Sequence, residues 1–146
     1  MTMSLPMIAA FVLSASNEAP VKQSNFTGEA WTGTVTMSGT CSDGTKVPTI
    51  SDKQTITFKS KGGNRLDYSN ITGCHFEFTL MGTAARLSNP PVTCSATDQE
   101  GASGSLTYTE IVATTLDGHQ LTMTTTAYVK AGPKTCNITG AGTFKR

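Results

Sequence analysis

Few side chains in this sequence could carry chemistry. They are two histidines, His75 and His119, four cysteines, Cys41, Cys74, Cys94 and Cys136, and one carboxylate in apolar company, Glu110. Either imidazole could act as a general base, but base catalysis needs a nucleophile or a substrate proton within hydrogen-bond reach. No G-x-S-x-G elbow presents a serine, and His119 directly follows the turn dipeptide Asp117-Gly118, where polar residues are ordinary. Both histidines therefore read as surface groups, no catalytic residue is assigned, and no enzyme is expected. The cysteines contain no C-x-x-C pair, and neither histidine stands at metal-ligand spacing from them, so no metal site is expected. An even number of cysteines instead fits two disulfides in an oxidising compartment. Nothing implies a cofactor.

Four cysteines allow three connectivities, so the pairing depends on the elements that carry them. Thr, Ser and Gly are abundant, and β-branched side chains favour extended backbone. Alternating segments bounded by Gly, Pro, Asp and Asn recur from Trp31 to the end, and none shows a helical period. Eight strands are expected, at about 31–41, 53–60, 64–69, 74–81, 83–88, 104–115, 119–129 and 135–146. The expected fold is all-β, an antiparallel eight-stranded meander barrel over 31–146, with a β-sandwich as the alternative. Residues 88–103, with Pro90, Pro91 and "TDQEGASG", read as a long loop, and 17–30 as a loose polar arm.

The best local signal is "TTLDGHQLT". Asp117-Gly118 tolerates the positive φ angles of a type I′ turn and predicts a tight hairpin between the sixth and seventh strands. That turn sets Leu106 opposite Val129, Tyr108 opposite Ala127, Val112 opposite Met123 and Thr114 opposite Leu121. Glu110 then falls opposite Thr125 on the apolar face, where an unpaired carboxylate is costly and would mark a binding pocket. The favoured alternative is a β-bulge near "TEIVA" that turns Glu110 outward and Ile111 inward, because Ile111 and Val112 together break the alternation.

The final strand, "CNITGAGTFKR", spends inward positions on Gly140 and Gly142. If the meander closes, the first and last strands are neighbours, and setting Cys41 opposite Cys136 aligns Gly33 with Phe144, Val35 with Gly142, Met37 with Gly140 and Gly39 with Ile138. Each glycine then faces a larger residue, which suits the interior of a narrow barrel. The competing explanation is a glycine-rich strand bending at an exposed edge. Barrel closure favours a Cys41–Cys136 bond, which leaves Cys74–Cys94 to close a short loop. Trp31 on the first strand and Arg146 on the last resemble the pair that packs across the barrel end in calycins, the lipocalin and avidin group. The resemblance concerns architecture. "GEAW" has one residue more than the lipocalin G-x-W, and a single Trp cannot build an avidin-type aromatic box, so no ligand identity is implied.

With 14% charged residues and a net charge of +1, the chain carries no basic field for nucleic acid. The apolar run Leu5–Leu13, followed by small residues, outlines a secretory signal over 1–16, without a positive n-region, and is too short to span a bilayer. The expectation is a secreted or periplasmic monomer. Its first functional reading is an interaction module, for instance an inhibitor of an external enzyme acting through the 88–103 loop. Its second is a carrier of a small apolar ligand held near Trp31, Tyr108 and Glu110.

Overall fold

Ile56 and Phe58 are both buried, and they belong to strands at opposite ends of the same sheet. In the computed structural model, which describes residues 22–69, 74–97 and 103–146, the described residues form ten antiparallel strands. They are β1 (Trp31–Cys41), β2 (Lys46–Ile56), β3 (Phe58–Ser60), β4 (Arg65–Ser69), β5 (His75–Met81), β6 (Ala84–Leu87), β7 (Val92–Thr97), β8 (Ser103–Thr114), β9 (Gln120–Ala131) and β10 (Lys134–Lys145). The order is β2-β1-β10-β9-β8-β6-β5-β4-β3, with β7 also paired to β8. Only Thr57 separates β2, at one edge, from β3, at the other, so the chain itself draws the two edges together. The sheet curls into a half-barrel, sealed where β3 meets β4 and open along the longer β2.

Ten strands replace the expected eight for two local reasons. The predicted 53–60 segment extends back to Lys46 and divides at Thr57, and Pro48 had masked its start. Proline is tolerated there because, among the described residues, β2 pairs only with β1. The predicted 88–103 loop contains β7, paired with β8 from Val92↔Tyr108 to Thr97↔Ser103, and the Thr93 and Thr107 hydroxyls meet at 3.0 Å. The expected signal segment lies outside the described residues. Part of the segment read as an arm is described: Gln23–Asn25 form a single 3-10 turn that delivers Phe26 into the core, fully buried.

The β1–β10 register is the one expected from the cysteines. Gly33 pairs with Phe144, Val35 with Gly142, Met37 with Gly140, Gly39 with Ile138 and Cys41 with Cys136. Both disulfides, Cys41–Cys136 and Cys74–Cys94, are formed. A Cβ on Gly33 would collide with the Thr143 carbonyl and stand 2.8 Å from Phe144 Cα, both backbone atoms that cannot yield without moving the strand. On Gly140 it would meet Met37 Cγ at 3.3 Å, the middle of a flexible side chain. Gly33→Ala is therefore expected to cost roughly 3 kcal/mol and Gly140→Ala less than about 1 kcal/mol. Urea unfolding midpoints of the two variants check this, and equal shifts would contradict it.

The β8–β9 hairpin departs from expectation below one point. Leu106↔Val129 and Tyr108↔Ala127 pair as predicted, then a bulge between Tyr108 and Glu110 shifts the rest by one, giving Ile111↔Thr125 and Thr114↔Thr122. Ile111 is buried and Glu110 exposed, the outcome favoured from the broken alternation. The connection is also wider than a type I′ turn. Residues 115–119 join the strands, Gly118 has φ +78°, and Asp117 does not take the positive φ that a type I′ turn demands. Asp117 instead accepts hydrogen bonds from the Gly118-flanking amides of His119 (2.8 Å) and Gln120 (3.2 Å), and these bonds hold its carboxyl below the usual range.

Candidate functional site

The inward-facing residues divide into a filled half and a hollow half. Toward the sealed end, Phe26, Trp31, Phe58, Leu66, Phe78 and Phe144 pack without exposure beyond 1%. Phe58 makes edge contacts with Phe26 and Phe78 at centroid distances of 5.6 Å. The lid on this half is Arg146. Its guanidinium lies 4.2 Å from the centroid of the Trp31 ring and donates to the carbonyls of Gly118 (2.8 Å), Thr27 (2.7 Å), Asn25 (2.9 Å) and Phe26 (3.1 Å), among others. Trp31 Nε1 donates to the same Phe26 carbonyl at 2.8 Å. Six long side chains thus leave no room at this end.

Toward the other end the barrel narrows to small residues on β10 while its remaining walls stay apart. A cavity of about 350 Å³ opens there, above the roughly 300 Å³ at which small-molecule sites begin. Its aromatic wall is Tyr68 from β4, Phe76 from β5 and Tyr108 from β8. Tyr68 stacks on Phe76 at 5.6 Å and 14°, and Tyr108 meets Phe76 edge-on at 4.9 Å. Met37, Met123 and Ile111 supply the aliphatic wall. Ile50 pairs with Met37 and so faces inward, yet it is 58% exposed, because the space in front of it is not filled by protein. A hollow of about 180 Å³ beneath Ile50 shares Val35, Met37, Asp52 and Gln54 with the larger cavity. A wider depression of about 610 Å³ beside Thr40, Lys46 and Asn137 lies on the strand ends away from this cavity and has no aromatic lining.

Two phenols give the cavity its polar handles. Burial, followed by the neighbouring Tyr108, pushes the Tyr68 hydroxyl up to about 12, and burial raises Tyr108. Both therefore stay neutral hydrogen-bond donors through the physiological range. Among the described residues, neither hydroxyl has a hydrogen-bond partner. The sign of the linkage is fixed: above the usual value of 10 the unfolded chain loses the Tyr68 proton while the folded chain retains it, so stability falls as pH rises from about 10 to about 12. The expected loss from Tyr68 is on the order of 2 kcal/mol, so the total loss is smaller in Tyr68→Phe, where Tyr108 alone contributes, and both are measurable from urea midpoints across that window.

Of the residues expected near a ligand, Tyr108 lines the cavity. Trp31 instead anchors the sealed end, and the bulge places Glu110 on the outer face. His75 also lies outside, its Nε2 2.7 Å from Asp67 Oδ1, beside Glu77, Arg65 and Lys61. His119 is exposed beside the Arg146 lid. Sequence reasoning missed Tyr68, Phe76 and the two methionines as lining residues. The available signal was the shared face of Leu66-Tyr68 and Phe76-Phe78 on paired strands. No helix among the described residues is long and apolar enough to cross a membrane. Comparison with family models, with curated proteins and with solved structures finds no match to this chain.

Proposed function

We propose that this protein is an exported binding protein that holds a small, largely apolar molecule in the hollow half of its barrel. The observation that carries the reading is the 350 Å³ cavity walled by Tyr68, Phe76, Tyr108 and two methionines, with inward-facing Ile50 left exposed over the adjoining hollow. Apolar lining with a few fixed polar groups is the usual composition of such sites. The two disulfides support an oxidising compartment, secreted or periplasmic. The Trp31–Arg146 clamp supports placing the architecture beside the calycins, whose barrels carry small ligands.

The neutral dye N-phenylnaphthylamine tests the reading. One dye is expected to bind per chain with enhanced fluorescence, and Met123→Trp, which fills the cavity, is expected to abolish the signal while leaving the far-ultraviolet circular dichroism unchanged. Absent binding, or binding indifferent to Met123→Trp in a folded variant, would overturn it.

A second reading is an interaction module that accepts a strand from another protein on β2, whose outer edge is unpaired among the described residues. Lys46, Pro48 and the register shift between Met37 and Gly39 interrupt that edge in the manner of strands protected against pairing, which ranks this reading second. The 88–103 segment loses its claim as a long contact loop, since Val92–Thr97 are committed to the sheet.

A further inference from the structure

Resting on the cavity reading above, we infer that the ligand is a small organic cation, an aromatic or alkyl amine, recognised by Asp52 and by the ring faces of the cavity. Asp52 pairs with Val35 across β1–β2, and Val35 packs against the core, so the alternation of the strand turns Asp52 to the inner side. It lines both the main cavity and the hollow beneath Ile50. Among the described residues it makes no ion pair and no side-chain hydrogen bond. The carboxylate therefore stands at the mouth of an aromatic chamber with its charge uncommitted.

The rest of the lining has matching chemistry. Tyr68, Phe76 and Tyr108 present ring faces and edges, and a cation over such a face gains electrostatic attraction that grows as water is excluded. Met37 and Met123 add polarizable thioethers. Among the described residues, the only cationic side chain that touches the cavity is Lys53. It pairs with exposed Thr34, which puts it on the outer side of β2, one residue out of phase with Asp52. An anionic ligand such as a fatty acid would meet Asp52 at the mouth and find no inward cation to replace its hydration. A cationic ligand would have its charge at Asp52, its ring or chain among the aromatics, and the phenolic hydroxyls as donors to any acceptor at its far end.

Three probes of similar shape separate the possibilities: tryptamine, tryptophol and indoleacetate, which carry a positive, a neutral and a negative group on the same indole. Isothermal titration of the full chain is expected to show tryptamine binding at least about tenfold tighter than tryptophol, with indoleacetate weakest. In Asp52→Asn the tryptamine-to-tryptophol ratio is expected to fall toward one. A general loss of structure would weaken both probes and leave their ratio intact, so the ratio isolates the carboxylate. On the unmodified chain, added salt is expected to weaken tryptamine but not tryptophol. Equal binding of tryptamine and tryptophol, or tightest binding of indoleacetate, would overturn the cation assignment and leave the cavity reading standing. Failure of all three probes together with N-phenylnaphthylamine would overturn the cavity reading itself.

Discussion

Replacing both Cys41 and Cys136 by alanine is expected to lower the unfolding free energy by about 4 to 5 kcal/mol, the largest effect of any change considered for this chain. The bond joins residues separated by 95 positions, against 20 for Cys74–Cys94. In the chain-entropy account those separations correspond to roughly 4.7 and roughly 3.3 kcal/mol, so losing the longer loop should cost about 1.4 kcal/mol more. The native register already sets Cys41 opposite Cys136 as cross-strand partners. Guanidinium unfolding of the two double variants checks the ordering. A larger loss on removing Cys74–Cys94 would show that native contacts around β5 and β7, and not loop closure, set these stabilities.

The second large effect belongs to the opposite end of the same strand pair. Arg146→Ala is expected to cost about 3 kcal/mol, since it uncovers the fully buried Trp31 and strips charge-assisted donors from the carbonyls of Ser24, Asn25, Phe26, Thr27, Glu29 and Gly118. Water reaches several of these carbonyls in the variant, which keeps the cost well below the sum of the individual bonds. Arg146→Lys retains the charge but not the planar fork, and it should recover less than half of the loss. Thermal unfolding followed by tryptophan fluorescence reports on both stability and the environment of Trp31. Full rescue by lysine would mean that charge alone, and not geometry, closes this end.

How far the sequence revealed these features depended on whether a residue had a distinctive partner. The β1–β10 register could be read because cysteine, glycine and large side chains had to match simultaneously, and only one alignment satisfies Cys41↔Cys136, Val35↔Gly142 and Met37↔Gly140 together. The bulge was visible in the adjacent apolar residues Ile111 and Val112. The strand β7 was not, because Val92–Thr97 follows Pro90-Pro91 and precedes a polar, glycine-rich stretch, so local composition outweighed a short run of strand formers. The division at Thr57 was invisible for a different reason: Ile56 and Phe58 are an ordinary alternation, and the change of partner between them is a property of the curled sheet. The cavity was hidden by the same logic that exposed the glycines. Small-against-large matching fills the space beside Val35 and Met37 on one wall, but the distance to Tyr68 and Phe76 on the far wall depends on curvature, which no pairwise alignment contains. Trp31 was expected near a ligand, whereas it is fully buried in the core, with its Nε1 on the Phe26 carbonyl and its ring under Arg146.

The passage of the chain from one edge of the sheet, β2, to the other, β3, also has a signature in time. Along β2, alternate amides point to β1 and are held in its ladder, while the intervening amides point into the open seam. Hydrogen exchange over 46–56 should therefore follow an every-second-residue pattern of slow and fast amides, the slow set being those held in the β1 ladder. A bound molecule that bridges the seam would slow the fast set alone. The seam thus acts as a built-in reporter of occupancy, read from the backbone without labelling the ligand.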